Sequence, residues 1–159
     1  MTARSAVRLA ISLAICFAVA YAGARVTDPE IATWYAGLSK PWWTPPSWVF
    51  PVVWNALYVM MALSLWLLWD RSARGNARSF AIGLFLAQLA LNAAWSPVFF
   101  GLHMIGLALL IIAALDVVLV AAIYRSLPVN RAAGLLLVPY LLWIVFASSL
   151  NAGIVALNP

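Results

Sequence analysis

Five stretches of this chain are too apolar and too long to be anything but membrane spans. They run over residues 5–24, 47–69, 79–102, 104–124 and 132–157. A helix rises about 1.5 Å per residue, so about 20 residues cross a hydrocarbon core of about 30 Å. Three of the five, 47–69, 79–102 and 132–157, carry no charge. Short alternating strands of the kind that build a membrane barrel are absent from the sequence. Only 8% of residues are charged, against about 25% in soluble domains, so no water-facing surface can be assembled. The expected fold is an all-α integral membrane protein, a bundle of five transmembrane helices forming one domain over residues 1–159.

The connections are uneven. Residues 25–46 make the one long loop, and the turn around His103 is so short that the third and fourth helices must be an antiparallel pair. With five spans, Arg4, Arg8, Arg71, Arg74, Arg78, Arg125 and Arg131 fall on one side, and Arg25 and Lys40 on the other beside Asp28 and Glu30. The positive-inside rule then puts the N-terminus in the cytoplasm and the C-terminus outside, if the membrane is an inner one. The net charge of +5 is explained by topology and by anionic lipid headgroups; no nucleic-acid partner is expected. Arg4 and Arg8 ahead of an apolar run ending Ala22-Gly23-Ala24 also fit a cleavable signal peptide, but retention is the expectation. Cys16 sits inside an apolar run and reads as packing.

The stretch from Lys40 to Trp54, KPWWTPPSWVFPVVW, holds four tryptophans and four prolines. Pro45-Pro46 ends an extended approach, Ser47 is a candidate N-cap, and Pro51 falls in the first helical turn, where its missing N–H costs little. Trp42, Trp43 and Trp48 suit the membrane–water boundary. Further faces are polar and aromatic together. The second helix aligns Phe50, Trp54, Tyr58 and Met61. The third aligns Gln88, Asn92, Trp95 and Phe99. The fifth aligns Tyr140, Trp143, Ala147 and Leu150 with Asn151. Amide and indole N–H groups are costly against lipid, so these faces point inward. There they either satisfy one another in a packed core or line a cavity for a flat, mostly apolar ligand.

Three motifs in order, KPWWTPPSWVFPVVW, AQLALNAAWSPVFFG (Ala87 to Gly101) and VPYLLWIVFASSLN (Val138 to Asn151), resemble the TspO/MBR family, the translocator protein or peripheral benzodiazepine receptor family. The resemblance implies a bacterial member with five membrane helices, often a homodimer. It implies ligands such as protoporphyrin IX and other tetrapyrroles, cholesterol-like lipids, and benzodiazepine or isoquinoline carboxamide compounds, with no required cofactor. By motif, Trp54 and Asn92 would donate to a ligand carbonyl, Trp95, Trp143, Ala147 and Leu150 would line the walls, and Trp42 and Pro45 would belong to a loop lid. Phe50, Tyr58, Phe99 and Tyr140 complete the ligand-binding set. No residue is assigned as catalytic on the main reading; the alternative is light-dependent porphyrin breakdown using Trp54 and Trp143, or transport of porphyrin or lipid. After Leu150-Asn151 the chain reads AGIVALNP, without the aromatic and basic residues of the family's cholesterol motif, so a dedicated sterol role is not expected.

Two polar residues have more than one reading. Asp116, the one carboxylate deep within a span, is either hydrogen-bonded structure or a participant in ligand entry or proton handling. His103 has no second ligand nearby, and no metal is assigned. Gly83, Ala87, Ala90 and Ala94 are small residues on one face of the third helix, suited to close backbone approach and so to a homodimer seam. No catalytic triad, CxxC or phosphate loop appears.

Overall fold

The computed structural model describes residues 2–159, all helix, turn and irregular segments with no strand among them. The helices are α1 (Ala3–Ile31), α2 (Val49–Asp70), α3 (Asn76–Ser96), α4 (Ile105–Ser126), α5 (Arg131–Leu136) and α6 (Val138–Leu157). α5 and α6 together form the fifth span, Arg131–Leu157. They join at Leu137 with no loop, because Pro139 lacks the N–H that would carry the helix through without interruption. Five segments are long and apolar enough to cross a membrane, and the chain is a multi-pass membrane protein.

The first helix is longer than the sequence expectation of 5–24, and the long loop correspondingly shorter than 25–46. Falling hydropathy at Arg25 marks the edge of the hydrocarbon, not the end of the helix. α1 runs on to Ile31 with Pro29 inside it. This extension is held by packing: Val26 joins Phe99, Phe100, Ala108 and Ile154 in a second apolar cluster, and Thr33 Oγ1 donates to the Pro29 carbonyl at 2.9 Å. Ser47 is not the N-cap of α2. That position is Trp48, without a side-chain cap, while Pro51 does lie in the first turn.

α3 passes into one wide turn, Pro97–Gly101, closed by Leu102 N donating to the Pro97 carbonyl at 2.9 Å. Pro97 cannot donate, so the helix loosens to a π-type turn. The wide turn carries Phe99 and Phe100 inward, 1% and 7% exposed. His103 follows at φ 57°, a left-handed conformation that histidine tolerates better than most residues.

The two ends of the bundle are tied differently. At the arginine-rich end Asp70 accepts from Ser5 Oγ (2.7 Å) and Arg8 Nη1 (3.0 Å) and pairs with Arg71 Nε at 3.2 Å. Trp66 Nε1 donates to the Ser5 carbonyl at 3.2 Å. α1 is therefore clamped to α2 at its start. α5 lies so close to the end of α4 that a Cβ on Gly134 would fall 2.8 Å from Leu127 Cδ2, so a larger residue there would have to displace the Leu127 side chain. At the opposite end His103 stacks on Trp34 (centroids 4.1 Å apart, planes at 13°) and its Nε2 lies 3.1 Å from Glu30 Oε2. Ser39 N donates to Asn158 Oδ1 (3.0 Å), and Asn158 Nδ2 donates back to the Ser39 carbonyl (2.9 Å). The long loop is thus clipped to the end of α6.

Candidate functional site

The main core draws on all five spans, around Cys16, Tyr58, Met61, Phe85, Ile112, Leu115, Tyr140 and Ile144. Within it runs a polar seam. Tyr58 Oη donates to Asn92 Oδ1 at 2.7 Å, and Asn92 Nδ2 donates to Tyr140 Oη at 2.8 Å. One carboxamide therefore braces three helices. All three residues are buried, Tyr140 completely. Aromatic rings wall the seam: Trp54 lies 5.6 Å from Tyr58 and 6.2 Å from Tyr140 by ring centroid. Phe50 meets Trp143 edge-on at 5.8 Å.

A second polar contact lies one turn further along α3. Trp95 Nε1 donates to Asn151 Oδ1 at 3.1 Å, and Asn151 Nδ2 donates to the Ile105 carbonyl at 3.0 Å. Trp95 stacks on Phe99 at 4.9 Å and 21°, so Trp95 joins the seam to the cluster under the π-type turn. Ala147 and Trp143 are half-buried against the main core, and Leu150 is buried.

Ten of the twelve sequence-chosen residues therefore share one continuous inner region: Phe50, Trp54, Tyr58, Asn92, Trp95, Phe99, Tyr140, Trp143, Ala147 and Leu150. Trp42 does not join it, and Pro45 is half-buried in the loop ahead of α2. Trp42 is 91% exposed and meets Trp43 edge-on at 5.6 Å, beside a groove lined also by Lys40, Pro41, Gly153, Ala156 and Leu157. The reason is local. Pro41 is seated on α6 where Gly153 has no Cβ, so the tryptophan pair lies at the outer edge of α6 rather than over the seam. The aromatic residues nearest the inner region at this end are Trp34 and Tyr35, which pack on Phe99 and Phe100. Sequence reasoning passed them over because they lie outside the spans. The signal for them is an aromatic pair directly after the polar end of α1. Burial raises the Tyr35 hydroxyl above the ordinary phenol range, and Lys40 Nζ sits 4.6 Å over its ring.

Among the described residues five buried side-chain polar atoms have no partner: Gln88 Oε1, Asp116 Oδ1 and Trp143 Nε1 within the bundle, and Arg78 Nε and Ser126 Oγ at its arginine-rich end. The other oxygen of Asp116 accepts from Ser148 Oγ on α6 at 2.8 Å, the hydrogen-bonded arrangement of its two readings. His103 is engaged by Glu30 and Trp34, as described above. The small residues Gly83, Ala87, Ala90 and Ala94 all lie on the outward face of α3, and nothing lies within 4 Å of where a Gly83 Cβ would be.

Fold and seam together define a class: a five-span membrane protein whose inner faces carry stacked indole and phenol rings braced by amides. A sequence model of the TspO/MBR family matches residues 12–157. The tryptophan-rich protein TspO of Archaeoglobus fulgidus is 41% identical over 138 residues, 87% of this chain and 88% of that one. The tryptophan-rich sensory protein of Cereibacter sphaeroides is 38% identical over 125 residues, 79% and 77% of the two chains. The human translocator protein is 38% identical over 132 residues, 82% and 78%. The chain belongs to the TspO/MBR family.

Proposed function

We propose that this protein is a membrane receptor or sensor for flat hydrophobic ligands, porphyrins such as protoporphyrin IX foremost, which it binds along the aromatic seam to regulate tetrapyrrole handling. One observation carries the reading. Trp143 Nε1 is buried with no acceptor, on a ring flanked by Phe50 and Phe146. An unpaired donor at membrane depth costs free energy, and a ligand carbonyl or carboxylate would satisfy it. The flanking rings would supply stacking surface. Trp54, at the edge of the same wall, would supply a second indole. Asn92 is already committed to Tyr58 and Tyr140, so its part is to hold the wall rather than to donate first.

The test is a titration of purified protein with protoporphyrin IX in the dark, followed by tryptophan quenching, beside Trp54→Phe and Trp143→Phe. Saturable quenching weakened by either change supports the reading. Quenching that neither change alters would mean partitioning into detergent and would overturn it. A second reading has its own observation: the oxidisable ring of Trp54 lies 5.6 Å from that of Tyr58 and 6.2 Å from that of Tyr140, a short path for electrons to an excited porphyrin. Illumination after binding separates the two. Conversion of the porphyrin spectrum that either Trp substitution abolishes would favour degradation.

Two further assignments belong to the same proposal. The arginine-rich end faces the cytoplasm, tested by thiol labelling of Ser72→Cys against Ser47→Cys in intact vesicles; labelling of Ser72→Cys from outside would reverse it. The outward small-residue face of α3 seats a second copy, which would make the protein a homodimer.

A further inference from the structure

At the arginine-rich end a groove of about 310 Å³ opens between the α2–α3 connection and the α4–α5 turn. It is lined by Ala73, Arg74, Gly75, Asn76, Ala77 and Arg78 on one side and by Pro128 and Val129 on the other. No carboxylate lines it. Seven arginines lie at this end, and the one carboxylate among them, Asp70, is fully engaged by Ser5, Arg8 and Arg71. Arg74 and Arg78 have no acidic partner. Arg78 is fixed in place by a bond from Nη1 to the Trp69 carbonyl at 3.3 Å, and its Nε is buried without an acceptor. A guanidinium presents its donors in a planar fork, so Arg78 is a positioned and incompletely satisfied donor. The first turn of α3 adds to this, because its N-cap is Gly75, which has no side chain to occupy the backbone N–H groups.

Depth decides what such a groove meets. Arg125 lies 5.4 Å over the Phe80 ring and 5.9 Å from that of Tyr124, and Phe80 and Tyr124 are 54% and 70% exposed. Arg8 and Arg71 lie similarly over Trp69 and Trp66. Lipid-facing aromatics paired with arginine mark the headgroup level of a bilayer. The groove therefore sits where phosphodiesters are concentrated, with Pro128 and Val129 as an apolar wall. A basic hollow between helices at this depth suits an anionic headgroup.

We propose that this groove is a binding site for the phosphodiester of an anionic lipid such as phosphatidylglycerol, with Arg74 and Arg78 as its ligands. The lipid would bridge the α2–α3 connection to the α4–α5 turn, two segments that no hydrogen bond in the structure joins.

The test uses the full chain in detergent with phosphatidylglycerol and phosphatidylcholine added in equal amounts, and native mass spectrometry to count retained lipid. Phosphatidylglycerol should be retained preferentially. Arg74→Gln with Arg78→Gln should lower that retention by about tenfold, the worth of a charge-assisted hydrogen bond or more. Arg74→Lys with Arg78→Lys should keep the charge, lose the fork and fall between. Arg4→Gln, at the same end but outside the groove, should retain lipid like the native chain. If the Gln pair fails to fold, the Lys pair still reads the fork. Equal retention of the two lipids, or equal loss with Arg4→Gln, would overturn the site. Displacement of phosphatidylglycerol by millimolar inorganic phosphate would overturn the lipid as occupant and assign the groove to free phosphate.

Discussion

Replacing Asn92 by leucine should strand two phenols in the core. Leucine is close in size, so the change removes polarity more than volume. Tyr58 Oη loses its acceptor at 2.7 Å, and Tyr140 Oη loses its donor at 2.8 Å. In a soluble core each stranded group costs about 1–3 kcal/mol. Interhelical hydrogen bonds within membranes are worth less, about 0.6 kcal/mol on average and about 1.7 at most, because the unfolded helices in lipid also find partners. Two bonds at the membrane values give a loss of about 1–3 kcal/mol, and the soluble values would roughly double it. The assay is reversible unfolding of the purified protein in mixed micelles. The discriminating variant is the triple change Tyr58→Phe, Asn92→Leu, Tyr140→Phe. Removing every member of a satisfied polar set with little change of shape is nearly neutral, so the triple should recover most of the stability lost by Asn92→Leu. A triple variant less stable than Asn92→Leu alone would refute the idea that these groups matter by satisfying one another.

Three other outcomes are expected. Trp143→Phe should leave the melting temperature nearly unchanged, because loss of ring area is offset by removal of a stranded donor, while protoporphyrin affinity falls about three- to tenfold; a large drop in melting with unchanged affinity would contradict the role of its N–H. Gly153→Ala should cost about 1–3 kcal/mol by overpacking, since the new Cβ collides with the Pro41 ring, and should hasten proteolytic nicking in residues 32–48; equal nicking rates would show that the loop is not held there. Ala87→Trp, on the outward face of α3, should convert a dimer to a folded monomer in light scattering with little change in unfolding, and a persisting dimer would move the seam elsewhere.

The spans were legible because a helix in lipid must be apolar for its full crossing, and that demand is written residue by residue. The end of α1 was not legible. Outside the hydrocarbon, hydropathy stops reporting on helicity, and Arg25 to Ile31 stay helical through tertiary packing of Val26. The inner face was legible for a related reason. Gln88, Asn92, Trp95, Trp143 and Asn151 are expensive against lipid wherever their partners are, so their inward direction followed without knowing those partners. Which pairs would form did not follow, because Tyr58–Asn92–Tyr140 and Trp95–Asn151 depend on the axial offset of α2, α3 and α6. That Trp42 lies outside the inner region, at the boundary position its exposure fits, was not legible for the same kind of reason. Its position is fixed by the close approach of Pro41 to Gly153, a contact across more than a hundred residues of chain.

The distribution of satisfied and stranded groups suggests where this bundle can yield. Asn92 and Asn151 use their carboxamides on both sides, and breaking either would expose several groups at once. Trp143 donates to nothing. Its neighbours are rings, whose contacts can be exchanged for those of another flat molecule at little cost, because stacking is not directional in the way a hydrogen bond is. The opposing ends of the bundle differ in the same sense. At the arginine-rich end α1 is clamped through an ion-paired carboxylate and an indole hydrogen bond. At the other end the loop rests on aromatic stacking, a histidine–glutamate contact at the surface, and a reciprocal bond to Asn158. A ligand entering between Phe50, Trp54 and Trp143 would exchange ring contacts for ring contacts and pair the buried Trp143 N–H, without touching the amides that hold α2, α3 and α6 in register.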